Sequence, residues 1–266
     1  MNLQTADTML DEIVEKTQER VEKAKEIIPL EVLKEEVSKL EINDDFPFKE
    51  ALSGDDIAII AEVKKASPSK GLISEDFDYL KIAKEYEEAG ASAISVLTEP
   101  YFFMGDDEYL KEIAESVSIP VLRKDFVVDE YMIWEAKLLG ASAVLLIVSI
   151  LDVVQLKKYL DLAHDLGLSA IVETHDGDEI MRAMTVGAEI IGVNNRNLKD
   201  FTVDIENSIS LRRCVSGDVI FISESGIKTK EDVARLKEND VDAVLIGETL
   251  MKSDDKKAMI SELKDG

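Results

Sequence analysis

Four side chains in this 266-residue sequence have the types and spacing for proton-transfer chemistry: Glu62, Lys64, Lys124 and Glu173. Each closes a short apolar run, in Glu62-Val63-Lys64, Arg123-Lys124-Asp125-Phe126 and Glu173-Thr174. Glu62 and Lys64 lie two residues apart, so on an extended segment they point the same way, toward an interior where an unpaired charge is costly. They need partners. A lysine in a confined site serves as a general acid when burial and neighbouring cations bring its pKa down toward working pH, and a carboxylate beside it acts as base or holds it in place. A structural ion-pair network among Glu62, Lys64, Lys124, Glu173 and Glu224 is the plainer alternative. It accounts for any one of these residues, and poorly for five gathered at the ends of apolar runs that face one mouth.

Eight such runs position them: Ile57 to Val63, Ala93 to Leu97, Ile119 to Leu122, Ala143 to Val148, Ser169 to Val172, Glu189 to Val193, Val219 to Ile222 and Asp242 to Ile246. They are apolar at successive residues, as parallel strands covered on both faces are. Amphipathic segments lie between them. Tyr79 to Ala89 puts Leu80, Ala83, Tyr86 and Ala89 on one helical stripe, and Leu151 to Leu166 does the same with Val153, Leu156, Leu160 and Ala163. Gly90-Ala91, Gly140-Ala141 and Gly187-Ala188 precede the second, fourth and sixth runs, with Val241-Asp242-Ala243 before the eighth, each marking a helix ending and a strand beginning. Eight βα units favour a closed (β/α)8 barrel over an open doubly wound sheet. The segment after the first strand, Lys64 to Gly71, lacks the Gly-x-Gly-x-x-Gly of a dinucleotide fold.

Barrels of this kind work at the C-terminal ends of their strands. Besides the four side chains above, those ends carry Asn194-Asn195-Arg196, Ser223-Glu224-Ser225-Gly226 and Gly247-Glu248. Ser225-Gly226 and Gly247-Glu248 are each expected to open a short helical turn whose backbone N–H groups point at a phosphate, with glycine permitting close approach. The plainer alternative is that these glycines only make turns. His175 is expected in a loop or helix-capping role, His164 at the surface in mid-helix, and Cys214 and Trp134 as packing on helical segments. Two histidines without ligand spacing argue against a catalytic transition metal.

With 56 acidic and 31 basic residues the formal net charge is −25, which disfavours a nucleic-acid or anionic-membrane partner. A small anion still binds wherever a few cations gather. Cys214 is the only cysteine, so no intrachain disulfide forms and a reducing setting is favoured. No window approaches the roughly 18 apolar residues of a membrane span, and the reading is a cytoplasmic protein, monomeric by default. About 45 residues precede the first strand. Their stripes (Leu10, Val14, Val21, Ala24, Ile28, then Leu33, Val37, Leu40) and a turn at Pro29 predict a helical extension within one domain spanning residues 1–266. It either seals one barrel face as packing or forms part of a lid.

The segment Ile60-Ala61-Glu62-Val63-Lys64-Lys65-Ala66-Ser67-Pro68-Ser69-Lys70-Gly71 resembles the first-strand signature of the indole-3-glycerol-phosphate synthase family. The likeness continues through Leu122-Arg123-Lys124-Asp125-Phe126, Leu145-Leu146-Ile147-Val148, Val172-Glu173, Ile191-Gly192-Val193-Asn194-Asn195-Arg196, Ser223-Glu224-Ser225-Gly226-Ile227 and Leu245-Ile246-Gly247-Glu248. It therefore spans the whole barrel, and the extra N-terminal helices suit it. The resemblance implies conversion of 1-(2-carboxyphenylamino)-1-deoxyribulose 5-phosphate to indole-3-glycerol phosphate, with loss of carbon dioxide and water, in tryptophan biosynthesis and without a cofactor. It implies Lys124 as the general acid that protonates the ribulose carbonyl, Lys64 as the carboxylate-binding cation, Glu173 and Glu62 sharing base and positioning work, and Glu224 holding a lysine. By the same resemblance Arg196 and Asn194 address the anthranilate carboxylate and ring, and Phe126, Leu145 and Leu198 form an apolar slot. Ser67, Ser225, Gly226, Gly247 and Glu248 hold the phosphate, the last through its backbone. Two positions depart from one form of the family pattern: Asn197, where Asp also occurs, and Glu248, where a small hydroxyl residue also occurs. The rival readings are another phosphate-binding barrel such as a sugar-phosphate isomerase or epimerase, a Schiff-base aldolase using Lys124, and a non-catalytic barrel that binds.

Overall fold

Eight parallel strands close on themselves in a computed structural model that describes residues 9–197 and 202–265. They are β1 (Ala58–Val63), β2 (Ala93–Leu97), β3 (Val121–Lys124), β4 (Ala143–Ile147), β5 (Ser169–Thr174), β6 (Ile190–Asn194), β7 (Ile220–Glu224) and β8 (Ala243–Ile246). Closure comes from β1, which pairs with β2 on one side and β8 on the other. The chain has the (β/α)8 barrel fold. Three strands, β5, β6 and β7, run past their apolar stretches to include Glu173-Thr174, Asn194 and Ser223-Glu224. β3 starts two residues later than expected and includes Arg123 and Lys124, because Pro120 has no N–H to give to a ladder.

Two layers of apolar packing follow from the two faces of the sheet. Inside the barrel, Ala58 and Ile60, Leu122, Ala143 and Leu145, Ile171, Ile190, Ile222, and Ala243 and Leu245 pack together. Period-two alternation carries the next inward position on several strands to a charge or an amide: Glu62, Lys124, Glu173, Asn194 and Glu224. The interior is aliphatic toward one end and ionic toward the other. Outside the barrel a larger core joins the opposite strand faces to the helices.

The helices start and stop where local chemistry dictates. Asp78, Asp106, Asp129, Asp152 and Asp176 each accept a backbone N–H at the start of α4 (Tyr79–Glu88), α5 (Asp107–Ser116), α6 (Glu130–Leu138), α7 (Val153–Asp165) and α8 (Gly177–Thr185). At their ends, Gly90, Gly140 and Gly187 take φ of 83°, 86° and 83°. The next residue then donates back, Ala91 to Tyr86, Ala141 to Ala136 and Ala188 to Ala183, at 3.0 to 3.1 Å, the six-to-one bond that ends a helix on a left-handed residue. Before β8 the left-handed residue is Asp240 (φ 58°).

The N-terminal extension serves three places. α1 (Met9–Ile27) buries Ile13, Thr17 and Val21, so its stripe is rotated from the expected one and Ile28 is exposed. Pro29 caps α2 (Leu30–Val37), which buries Leu33 and Val37, while Leu40 is exposed. α3 (Pro47–Leu52) brings Phe48 and Leu52 into the interior cluster at its aliphatic end. Helix α7 buries Leu156, Tyr159, Leu160 and Ala163, whereas Val153 is exposed. His164 is half-buried in the last turn of α7, edge-on to Phe46 at 5.6 Å between ring centres, and not at the surface. Cys214 lies in an exposed turn after α9 (Glu206–Arg212), so it is not a packing residue. Trp134 is half-buried on α6 with Lys34 over its ring.

Candidate active site

At the ionic end of the barrel one cavity of about 620 Å³ is lined by Glu62, Lys64, Lys124 and Glu173. The same cavity is lined by Ser67, Phe126, Leu145, Asn194, Arg196, Glu224, Ser225, Gly226, Gly247 and Glu248. Leu198 lies outside the described residues. Residues from every third of the chain thus meet because their strands end on one rim.

Lys124 is the centre of the cluster. Its Nζ lies 3.0 Å from Glu173 Oε2 and 3.4 Å from Glu224 Oε2. Glu173 also accepts from Asn194 Nδ2 at 3.3 Å. Across the mouth Lys64 pairs with Glu62, which is buried. Burial pulls Lys124 toward its neutral form, yet Glu173, Glu224 and Glu62 outweigh it and raise its pKa above the ordinary lysine value. The expected lowering toward working pH is therefore overturned: the neighbours that decide the outcome are anions, not cations. Burial likewise pushes Glu173 upward, but Lys124 and His175 prevail and hold it below the usual carboxylate range. Glu224 goes the other way. Burial, with Glu173 and Glu62 adding to it, pushes it up to about 7 against the pull of Lys124. Its Oε1 has no hydrogen-bond partner among the described residues.

Two glycines make room for these carboxylates. A β-carbon at Gly192 on β6 would fall on the Glu224 carboxylate, and one at Gly247 would fall on that of Glu62 with Lys64 close behind. Gly247 also caps the short helix α11 (Glu248–Lys252). The loop after β7 is built differently from expectation: Ser225 (φ 69°) and Gly226 (φ 89°) are both left-handed and open no helical turn. The next helix, Lys230–Lys237, begins four residues later. A β-carbon at Gly226 would also meet Val203, so the loop depends on a bare backbone there. Ser67 is buried in a two-stranded hairpin, Ala66–Ser67 against Gly71–Leu72, that rises beside β1. The Glu248 carboxylate accepts from Lys252 at 2.7 Å and lies 3.7 Å from Lys70. Lys70, Lys228, Lys252 and Arg196 all line this side of the cavity.

Several cavity residues carried no signal that spacing reveals. Phe103 faces Phe126 at 5.9 Å between ring centres. Its loop is tied down by Glu99, fully buried, which accepts from the backbone N–H groups of Tyr101, Phe102 and Phe103 at 3.0, 2.7 and 3.1 Å. The pair Phe102-Phe103 just past a strand end is the one hint in the sequence. Met9, Leu10 and Ile13 of α1 also line the cavity. Arg20 holds α1 there, with both oxygens of Asp125 at 2.8 Å and the Thr98 carbonyl at 3.2 Å. Arg123 points outward instead, bonding Asp107 and Glu135 at 2.7 Å each. The extension thus contributes both a wall of the cavity and packing.

Among the described residues no three His, Cys, Asp or Glu side chains are grouped to hold a metal ion, and no helix is long and apolar enough to cross a membrane. A closed parallel barrel with paired lysines and carboxylates on its rim, beside a cationic, glycine-rich flank, has the form of a (β/α)8-barrel enzyme with its site at the strand ends. The fold is shared with 3-hexulose-6-phosphate synthase from Salmonella typhimurium, at a TM-score of 0.64 and 16% identity over 79% of this chain and 97% of that one. Thiamine phosphate pyrophosphorylase from Pyrococcus furiosus is similar at a TM-score of 0.59 and 16% identity, covering 79% of this chain and 95% of that one. At that identity the likeness concerns fold alone. The sequence comparisons go further, since the model of the family described as indole-3-glycerol phosphate synthase matches residues 10–263. Proteins of that name are 56% identical over 257 residues in Endomicrobium trichonymphae (97% of this chain, 100% of that one) and 53% over 256 residues in Ruminiclostridium cellulolyticum (96% and 98%). The chain belongs to the indole-3-glycerol phosphate synthase family, and with it to the carboxy-lyases of tryptophan biosynthesis.

Proposed function

We propose that this mouth closes the indole ring of 1-(2-carboxyphenylamino)-1-deoxyribulose 5-phosphate, with Lys124 as the proton donor that starts the reaction. The observation that carries the assignment is the Lys124 ammonium, half-buried at the centre of the cavity and held between Glu173 and Glu224. As the aromatic carbon attacks the ribulose carbonyl, its oxygen becomes an alkoxide, more basic than any amine. A lysine with a raised pKa therefore still donates downhill, and a pre-placed cation stabilises the charge as it develops. Lys64, paired with Glu62, binds the anthranilate carboxylate until it leaves as carbon dioxide. Glu173, held ionised, acts as base in the loss of water, and Glu62 positions Lys64.

Phe126, Leu145 and Phe103 take the benzene ring, and Asn194 and Arg196 its polar edge. Ser67, Ser225, Gly226 and Gly247 hold the phosphate with the flanking cations, and Glu248 takes part through its backbone. The reaction needs no cofactor, and the chain is read as one cytoplasmic, monomeric unit, extension and barrel together. The product fluoresces differently from its anthranilate precursor, so turnover is followed directly. Purified protein that leaves the substrate signal unchanged would end the proposal.

A further inference from the structure

Closing the ring consumes a proton from solvent: an ionised carboxylate enters and leaves as neutral carbon dioxide, so charge balances only if one H⁺ is taken up per turnover. Substrate filling the cavity covers Lys124, the group that spends that proton. A second cavity, of about 720 Å³, lies beside the first, and Asn194 and Arg196 line both. His175 and Glu179 stand on its wall.

We infer that His175 is the proton inlet of this enzyme: it takes protons from water in the second cavity and passes them through Glu173 to recharge Lys124. This rests on the reading of Lys124 as donor and Glu173 as its ionised neighbour. His175 follows Glu173 by two residues, and its ring sits between two carboxylates. Nδ1 is 3.1 Å from Glu179 Oε2, and Nε2 is 3.6 Å from Glu173 Oε1. Glu179 is held in turn by the His175 backbone N–H at 2.8 Å, with Arg182 3.7 Å from its other oxygen. Asn207 donates to the His175 carbonyl at 3.2 Å and fixes the loop from the far side.

A carboxylate facing Nδ1 requires a hydrogen there, so the ring's only adjustable proton is on Nε2. That nitrogen is buried, with no hydrogen-bond partner among the described residues. An orphaned buried nitrogen aimed at a carboxylate is costly unless the gap is used. With the ring protonated, Nε2–H closes on Glu173 and transfers. The Nε2–H bond breaks and a Glu173 O–H bond forms. The proton arrives on Oε1, so a half-turn of the carboxyl about Cγ–Cδ carries that O–H round to the neutral Lys124 amine, which stands 3.0 Å from the Oε2 position; there the O–H bond breaks and an N–H bond forms. Glu173 returns to its ionised form and Lys124 to its ammonium; the neutral ring then turns its buried Nε2 outward to the second cavity, takes a proton there from hydronium or a buffer acid, and turns back. Burial disfavours the charged ring, but Glu179, Glu173 and Glu224 outweigh it and raise the pKa of His175 above the ordinary value, so the loaded form is populated near neutrality. His175 acts through Glu173 and not on the substrate.

The test compares first and later turnovers of His175→Asn. Lys124 starts loaded, so the first indole per site should form at the parental rate, followed by a steady state at least tenfold slower with KM changed less than threefold. Free imidazole in the buffer should restore the steady rate in proportion to its concentration. A steady rate within twofold of the parent, or a first turnover slowed as much as the later ones, would overturn the inlet. If His175→Asn no longer quenches substrate fluorescence on binding, Glu179→Gln, which removes the ring's outer anion, carries the same test and the same expectations. Glu173→Gln separates the two readings: parental turnover in that variant removes Glu173 from the chemistry, whereas an inactive Glu173→Gln beside a fully active His175→Asn removes only the inlet.

Discussion

Replacing Glu224 by Gln tests whether the buried cluster holds a shared proton. The carboxyl has its pKa raised from 4.5 to about 7, so between those values the folded chain binds a proton that the unfolded chain releases. By linkage, stability falls as pH rises through that window: the group's contribution is full below 4.5 and lost above about 7. At about 1.4 kcal/mol per pH unit the whole interval is worth about 3 kcal/mol, most of which falls between pH 5 and pH 8.5. Glutamine is neutral throughout and of nearly the same shape. Relative to the parent, Glu224→Gln should therefore gain about 2–3 kcal/mol of stability on going from pH 5 to pH 8.5. Urea unfolding of both proteins at the two pH values gives the number directly, and titrations common to both cancel in the difference. A difference flat to about 0.5 kcal/mol, or one in which the variant loses ground as pH rises, would refute the reasoning, because it would mean that Glu224 is ionised and stabilised by Lys124 throughout. Turnover supplies an independent check. The variant keeps a polar neighbour beside Lys124 but no acid, and kcat is expected to fall about tenfold or more.

Lys124→Ala should lower kcat by at least about a hundredfold while leaving substrate affinity within about threefold, since proton donation matters in the transition state; single-turnover rates and equilibrium fluorescence titration separate the two. Borohydride added with substrate should leave Lys124 unmodified in a peptide map, and stable labelling there would favour the aldolase reading. Gly192→Ala inserts a methyl where the Glu224 carboxylate sits and only 3.0 Å from Ile171 Cγ2, so it should cost about 2–4 kcal/mol in urea unfolding and most of the activity. Arg20→Ala leaves the buried Asp125 carboxylate with one cation fewer and frees α1 from the mouth; a loss of about 2 kcal/mol and a raised KM are expected, and an unchanged KM would show that Met9, Leu10 and Ile13 are only packing.

The barrel was legible because parallel strands buried on both faces write themselves as apolar runs, and because helix ends before β2, β4 and β6 need a residue with positive φ. The last residues of β3, β5, β6 and β7 were harder to assign as strand. Hydrophobicity stops at Leu122, Val172, Val193 and Ile222, while the ladder continues into the side chains that carry charge. The charged residues gathered in the cavity were legible for the same reason: a charge at the end of an apolar run is conspicuous. Phe103, Arg20 and Glu99 were not, since an aromatic in a loop and charges on a helix or just past a strand look ordinary until the fold brings them together. The Lys124 pKa was misjudged on similar grounds. Its direction depends on which charges stand within a few ångströms, and Glu62, Glu173 and Glu224 are each about 50 residues or more from Lys124 in the chain. The two-histidine count hid the place of His175, which takes its meaning from Glu179 one helical turn away and from a cavity that no spacing describes.

An acidic centre repels a substrate that brings a carboxylate and a phosphate, and the arrangement of charge resolves the conflict. Two lysines, Lys64 and Lys124, face three carboxylates, Glu62, Glu173 and Glu224, so the fully ionised cluster would carry one net negative charge and repel the anthranilate end. A proton on Glu224 makes the cluster neutral, and a pKa pushed up to about 7 brings that state within reach near neutral pH. Entry of the substrate carboxylate next to Lys64 would raise the demand for that proton further, since each added anion makes ionising Glu224 more costly. The proposed phosphate site is a different environment, the flank lined by Lys70, Lys228, Lys252 and Arg196, where Glu248 already occupies Lys252 and approaches Lys70. A phosphate bound there would compete with the Glu248 carboxylate for Lys252 and Lys70. The chain's large negative charge therefore does not oppose its chemistry: the acids of the cluster are paired or share a proton, buried Asp125 and Glu99 are held by Arg20 and by backbone N–H groups, and the exposed acids lie where solvent screens them.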